Sequence, residues 1–179
     1  PRLDMYVDVM LKNNCRIASK VLPQQAVLTM AQKSCRDSAR TPMQWTGGPW
    51  AGFSETRPWF YVNENYRDVN VAVEEKDPDS LLNFYRELIA FRKSEPLVMD
   101  GEYKEHLKQS PNFYVYSREA GGRRLLVICS FADKDTYFTA PEGFDLMQGR
   151  LVLKNYEMNL VINNCFTARP YELRVYLFE

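Results

Sequence analysis

The spacing of apolar and polar residues changes three times along this chain. From Leu3 to Asn14, Leu3, Tyr6 and Met10 return at helical spacing with Val9 on the flank, which predicts a first helix. Pro23 suits the first turn of a second helix running through Val27, Leu28 and Met30. From Arg36 to about Lys76 no period survives. Pro42, Pro49 and Pro58, Gly47, Gly48 and Gly52, and Asn63, Asn65 and Asn70 supply turn chemistry instead, and so long a loop in a compact domain is usually functional. Helical spacing resumes in "DPDSLLNFYRELIAFRK". Asp77 is placed to cap a helix over 78–94, with Pro78 at its first position. Leu81, Leu82, Tyr85, Leu88 and Ile89 recur at threes and fours, and Phe84 and Phe91 widen the apolar face. After Pro96 the period becomes two. "NFYVYSRE" alternates, "RRLLVICSF" is nearly continuous as in a strand buried on both faces, and Gly121–Gly122 between them reads as a hairpin turn. "DTYFTA", "GRLVLKN" and "YELRVYLF" complete five or more strands, an antiparallel sandwich or barrel. The chain thus divides near residue 97, with 1–96 irregular and helical and 97–179 all-β.

Composition removes several function classes. The chain has 179 residues with 23 Lys+Arg against 23 Asp+Glu, a formal charge of zero, so no electrostatic footprint for nucleic acid or an anionic membrane exists. No apolar run approaches the ~20 residues of a membrane helix. No export signal precedes the first helix, Pro1 stands where Met would start a gene product, and a cytoplasmic protein with upstream residues is expected. Cys15, Cys35, Cys129 and Cys165 form no CxxC pair, and His106 has no partner at metal-ligand spacing, so no metal or other cofactor is expected and the cysteines read as free thiols.

The densest chemistry lies in "RDSARTPMQW", residues 36–45. Arg36 and Arg40 flank Asp37, and Trp45 follows Thr41 and Pro42. A guanidinium can donate two parallel bonds to vicinal hydroxyls or to a carboxylate, and it stays charged at any working pH. Arg36 with Asp37 reads as a charge-assisted pair that braces the loop. Arg40 has two roles open to it, ligand contact or a further tie within the fold. Trp45, Trp50, Phe53 and Trp59 read as packing residues. The carboxylates Asp37, Asp68, Glu74, Glu75, Asp77 and Asp79 read as solvated or capping groups.

Taken in order, "RDSARTPMQW", "AGF" (51–53), "PW" (58–59), "VNENYRDVNV" (62–71), "DPDSLLNFYRELIAFRK", "LLVICSF" and "RPYELRVYLF" resemble the C-terminal third of bacterial oligo-1,6-glucosidases and related α-glucosidases of the α-amylase superfamily. The resemblance implies an α+β chain: residues 1–96 as the loop after the last strand and the final helix of a (β/α)8 barrel, residues 97–179 as the antiparallel β-sandwich called domain C. It implies short α-glucosides as partners of the intact enzyme and places Arg40 on the glucose at the non-reducing end. The retaining chemistry of such enzymes needs two carboxyl groups ~5 Å apart, a nucleophile and an acid. Neither of their motifs occurs in these residues, so no catalytic residue is expected here and the chain alone is expected to be inactive. Ser38, Thr46 and Trp50 depart from the usual asparagine, aspartate and asparagine of that pattern. With its barrel neighbours missing, the face of helix 78–93 carrying Leu81, Leu82, Tyr85, Leu88 and Ile89 is expected to be exposed and, with residues 1–33, to drive self-association. The competing reading is a stand-alone carbohydrate-binding or structural β-sandwich, with Tyr103, Tyr114, Tyr116 and Tyr137 as an aromatic platform.

Overall fold

The computed structural model describes residues 6–179, with Ser38 described in its backbone alone. Two compact units form, one running through Asn83 and one over Phe84–Glu179.

In the first unit, helix α1 spans Val9–Ala18 and helix α2 spans Gln24–Ser34. Asp8 is the N-cap of α1, its carboxylate accepting from the N–H of Met10 at 3.0 Å and Leu11 at 3.2 Å, which satisfies two of the donors a helix start leaves unpaired. The cap sets the phase of the helix. Leu11 and Cys15 point inward with Val27 and Ala31 of α2, and Tyr6 joins them from the segment before the cap. The expected face was therefore shifted: Val9 and Met10 are exposed, and Leu3 lies outside the described residues.

The long segment after α2 is folded by its own backbone. Asp37–Ala39, Pro49–Gly52 and Glu64–Arg67 are 310 turns and Val71–Glu74 is a one-turn helix, α3. Trp50, Ala51 and Gly52 all take left-handed φ, at 51°, 59° and 66°. Only the glycine does so without strain. The N–H groups of Trp45 and Thr46 hold the bend through the Ala51 carbonyl, at 2.9 and 3.0 Å. Val71 and Ala72 donate back to the carbonyls of Gln44 and Trp45 at 3.0 Å each. Buried Asn70 accepts from Val73 N–H at 3.1 Å and donates to the Tyr66 carbonyl at 2.9 Å.

Helix α4 spans Leu81–Ser94, three residues shorter at its start than the spacing predicts. Residues 77–80 form a turn instead, closed by Ser80 N–H on the Asp77 carbonyl at 3.1 Å. Ser80 caps the helix, its hydroxyl accepting from Asn83 N–H at 3.2 Å, and a Glu74 carboxylate oxygen accepts from Leu82 N–H at 3.2 Å. A buried serine with two local partners outcompetes an exposed Asp-Pro pair as the cap.

In the second unit, helix α5 (Leu97–Asp100) precedes seven strands: β1 (Glu102–His106), β2 (Phe113–Ala120), β3 (Arg123–Ser130), β4 (Thr136–Thr139), β5 (Arg150–Lys154), β6 (Cys165–Ala168) and β7 (Leu173–Phe178). Five make an antiparallel sheet in the order β1-β2-β3-β7-β5, and β4 pairs with β6. Gly121 and Gly122, at φ 58° and 81°, form the two-residue turn that joins β2 to β3. Strand β3 is buried on both faces, as its apolar run predicts. Leu126 and Ile128 meet Phe138, Phe166 and Tyr176 between the two sheets. Leu125 and Val127 meet Leu153, Val175 and Leu177 on the other face, where Phe84, Leu88 and Phe91 of α4 pack. Leu88 is thus half-buried rather than exposed, and the exposed stripe of α4 reduces to Leu81, Tyr85 and Ile89. Strands β1 and β6 escaped the sequence pattern because they are short, and β1 carries Glu, Lys, Glu and His at the sheet edge.

Candidate functional site

The loop arginines and Asp37 collect at the start of α1. Arg36 takes Asp8 as its carboxylate partner, Nε to Oδ2 at 2.8 Å and Nη2 to Oδ1 at 3.4 Å. Asp37 is 1% exposed and accepts from the N–H groups of Val7 at 2.6 Å and Asp8 at 3.1 Å through Oδ2. Arg36 and Asp37 therefore both hold the loop against the first turn of α1, through separate contacts rather than a bond to each other. The sequence reading missed Asp8. The signal available was an aspartate just before an apolar helical run, the ordinary mark of an N-cap.

Arg40 ends the 310 turn, its N–H donating to the Asp37 carbonyl at 3.0 Å. Its side chain is exposed and makes no hydrogen bond or ion pair among the described residues. It lines a cavity of about 640 Å³ together with Asp8, Arg36, Asp37, Asn13 and Trp59. Every other charged group on that wall is engaged with a partner among the described residues. Trp59 is 83% exposed, and Trp45, Trp50 and Phe53 are also exposed. Trp59, expected to pack, stands in the open and lines the same cavity as Arg40, whereas Trp45, Trp50 and Phe53 are each no more than half exposed.

The carboxylates here are unsuited to proton donation. The Arg36 guanidinium, then the Leu11 N–H, hold the Asp8 carboxyl at a pKa of about 2. Burial opposes ionisation of Asp37, but the N–H groups of Val7 and Asp8 outweigh it and keep that carboxyl below its usual range. A general acid needs a raised value, and both groups are ionised at neutral pH. Thr46, one of the departures from the family pattern, accepts from Gly48 N–H at 3.2 Å and helps close the turn before the left-handed bend.

A pH dependence follows from Asp8. Its folded value lies below its unfolded one, so the Asp8–Arg36 clasp stabilises above the unfolded pKa near 4 and is lost as pH falls through about 2. Thermal unfolding of the wild type and of Asp8→Asn is expected to differ at pH 6. That difference is expected to shrink between pH 4 and 2, and one that stayed constant would place the stabilisation elsewhere.

Of the tyrosines considered as a platform, three come together. Tyr103 and Tyr114 share a hydroxyl–hydroxyl hydrogen bond of 2.9 Å, and each ring lies 5.5 Å from that of Tyr116. That bond, with some burial, pushes the Tyr103 hydroxyl up to about 12. Tyr137 lies on β4 of the other sheet. His106 hydrogen-bonds Ser117 at 2.9 Å.

The family model for the α-amylase catalytic domain matches residues 9–101. The chain is 37% identical over 159 residues to the oligo-1,6-glucosidase of Halalkalibacterium halodurans, covering 87% of this chain and 28% of that protein. Among solved structures, the trehalose-6-phosphate hydrolase of Bacillus licheniformis superposes with a TM-score of 0.91 at 31% identity, over 98% of this chain and 32% of that one. The trehalulose synthase of Pseudomonas mesoacidophila gives 0.87 at 27% identity, over 99% of this chain and 32% of that one. The chain spans about a third of the length of the proteins it matches. Its helices and loop followed by an antiparallel β domain are the corresponding part of that fold, and the chain belongs to the α-amylase family of glycoside hydrolases.

Proposed function

We propose that these residues serve an α-glucosidase that acts on short α-glucosides, supplying the loop and the last helix of the barrel (1–96) and domain C (97–179). In this reading Arg40 bonds the hydroxyls of the terminal glucose, Arg36 and Asp37 hold the loop that carries it, and domain C stabilises the barrel. The observation that carries the proposal is the guanidinium of Arg40, without a partner among the described residues, on the wall of a cavity whose other charges are all engaged. A sugar offers that fork neutral, vicinal acceptors. Trp59 beside it adds an apolar face of the kind that covers a sugar ring. The exposed Leu81, Tyr85 and Ile89 of α4 are the surface through which a chain of these residues alone would pair with a second copy.

The same reading holds that this chain alone does not turn over substrate, because Asp8 and Asp37 are committed to Arg36 and to backbone N–H groups. Purified chain incubated with isomaltose, maltose and p-nitrophenyl α-glucoside is expected to release no product above background. Turnover that scales with chain concentration through successive purification steps would overturn the assignment of these residues to a non-catalytic portion.

A further inference from the structure

A second cavity, of about 350 Å³, opens inside the unit formed by Phe84–Glu179. Leu88 and Phe91 of α4 form one wall, and Val127, Leu153 and Val175 of the sheet form the other. Its volume is at the low end of small-molecule pockets, which run ~300–1,000 Å³. Two guanidinium groups, Arg92 and Arg118, stand on the same lining. Arg118 donates to the Gly101 carbonyl at 3.0 Å and lies over the Tyr103 ring at 5.5 Å. Neither arginine has a carboxylate partner among the described residues.

Apolar walls with two guanidinium groups that have no carboxylate partner among the described residues form an asymmetric site. A neutral hydrocarbon would leave both arginines without an anion, and a sugar would leave the aliphatic walls unanswered. A cationic amphiphile would be repelled. The complement is a flexible alkyl chain ending in one anionic head that two guanidinium forks can share. We propose that this cavity binds a medium-chain carboxylate of the fatty-acid class, its tail between α4 and the sheet and its carboxylate at Arg92 and Arg118.

Cys129 lines the cavity and is half-buried, so its thiol reports occupancy at the site itself. The chain is titrated with sodium hexanoate, octanoate and decanoate below their micelle concentrations. Modification of Cys129 by a thiol reagent is followed by peptide mass spectrometry, and calorimetry of the same titrations reads binding independently of the thiol. Decanoate is expected to protect Cys129 saturably, and affinity is expected to rise about fourfold for each added methylene, the worth of burying one CH2. Arg92 is exposed, so Arg92→Gln keeps the fold and is expected to weaken decanoate binding roughly tenfold by removing a charge-assisted donor. Absence of binding in calorimetry would overturn the proposal. So would equal binding of decyltrimethylammonium, or an unchanged affinity in Arg92→Gln.

Discussion

Glu172→Ala is expected to destabilise the β domain by ~3–5 kcal/mol, the usual cost of stripping a buried charge of its partner. Arg174 is 1% exposed and Glu172 3%, and their Nε–Oε1 bond is 2.7 Å. The rest of the guanidinium is satisfied as well. One Nη bonds the Asn159 side chain, the other approaches Tyr176 Oη at 3.5 Å, and the group lies 3.6 Å from the Phe166 ring centroid. The second oxygen of Glu172 accepts from Arg169 N–H at 2.7 Å. Removing the carboxylate therefore strands a cation in the interior and frees the turn before β7. Replacing both members by apolar residues of similar volume is expected to cost much less, because no charge is left unpaired. Urea denaturation of the single and double variants checks this. A loss under 1 kcal/mol for Glu172→Ala would mean that water reaches Arg174.

In an intact enzyme carrying these residues, Arg40→Lys is expected to lower kcat/KM at least ~10-fold, since a hydrogen bond to a charged donor is worth about 1.5–3 kcal/mol and an ammonium cannot reproduce the fork. The structure adds a control. Arg36→Lys disturbs an arginine whose carboxylate partner is Asp8, so it is expected to lower thermal stability more than it raises KM. Steady-state kinetics and melting curves on the two variants separate binding from bracing. Wild-type kinetics in Arg40→Lys would remove the sugar contact from the proposal.

The β domain was legible because its strands carry the pattern of their burial. The run Leu125–Cys129 is apolar at every position, and its structure alternates between two cores. The two glycines at 121–122 mark the hairpin unaided. The helices were legible in existence and misplaced in phase, because caps rather than periodicity set where they start: Asp8 for α1 and Ser80 for α4. The site was legible only in part. Arg36, Asp37 and Arg40 stand out by residue type, but the partner of Arg36 lies 28 positions away, and no local pattern carries that distance. The left-handed bend at Trp50–Gly52 was hidden for a related reason: neither tryptophan nor alanine advertises a positive φ.

Strand order has a consequence for how the domain is made. Strand β7 sits between β3 and β5, yet it is synthesised after β4, β5 and β6. Until it emerges, the β1–β2–β3 meander has β3 as an open edge, apolar on both sides and free to pair with another nascent chain. The growing polypeptide is therefore most prone to aggregate in the interval between translation of Ser130 and of Leu173, and a slow codon or a stalled ribosome there would lengthen the exposure that β7 ends.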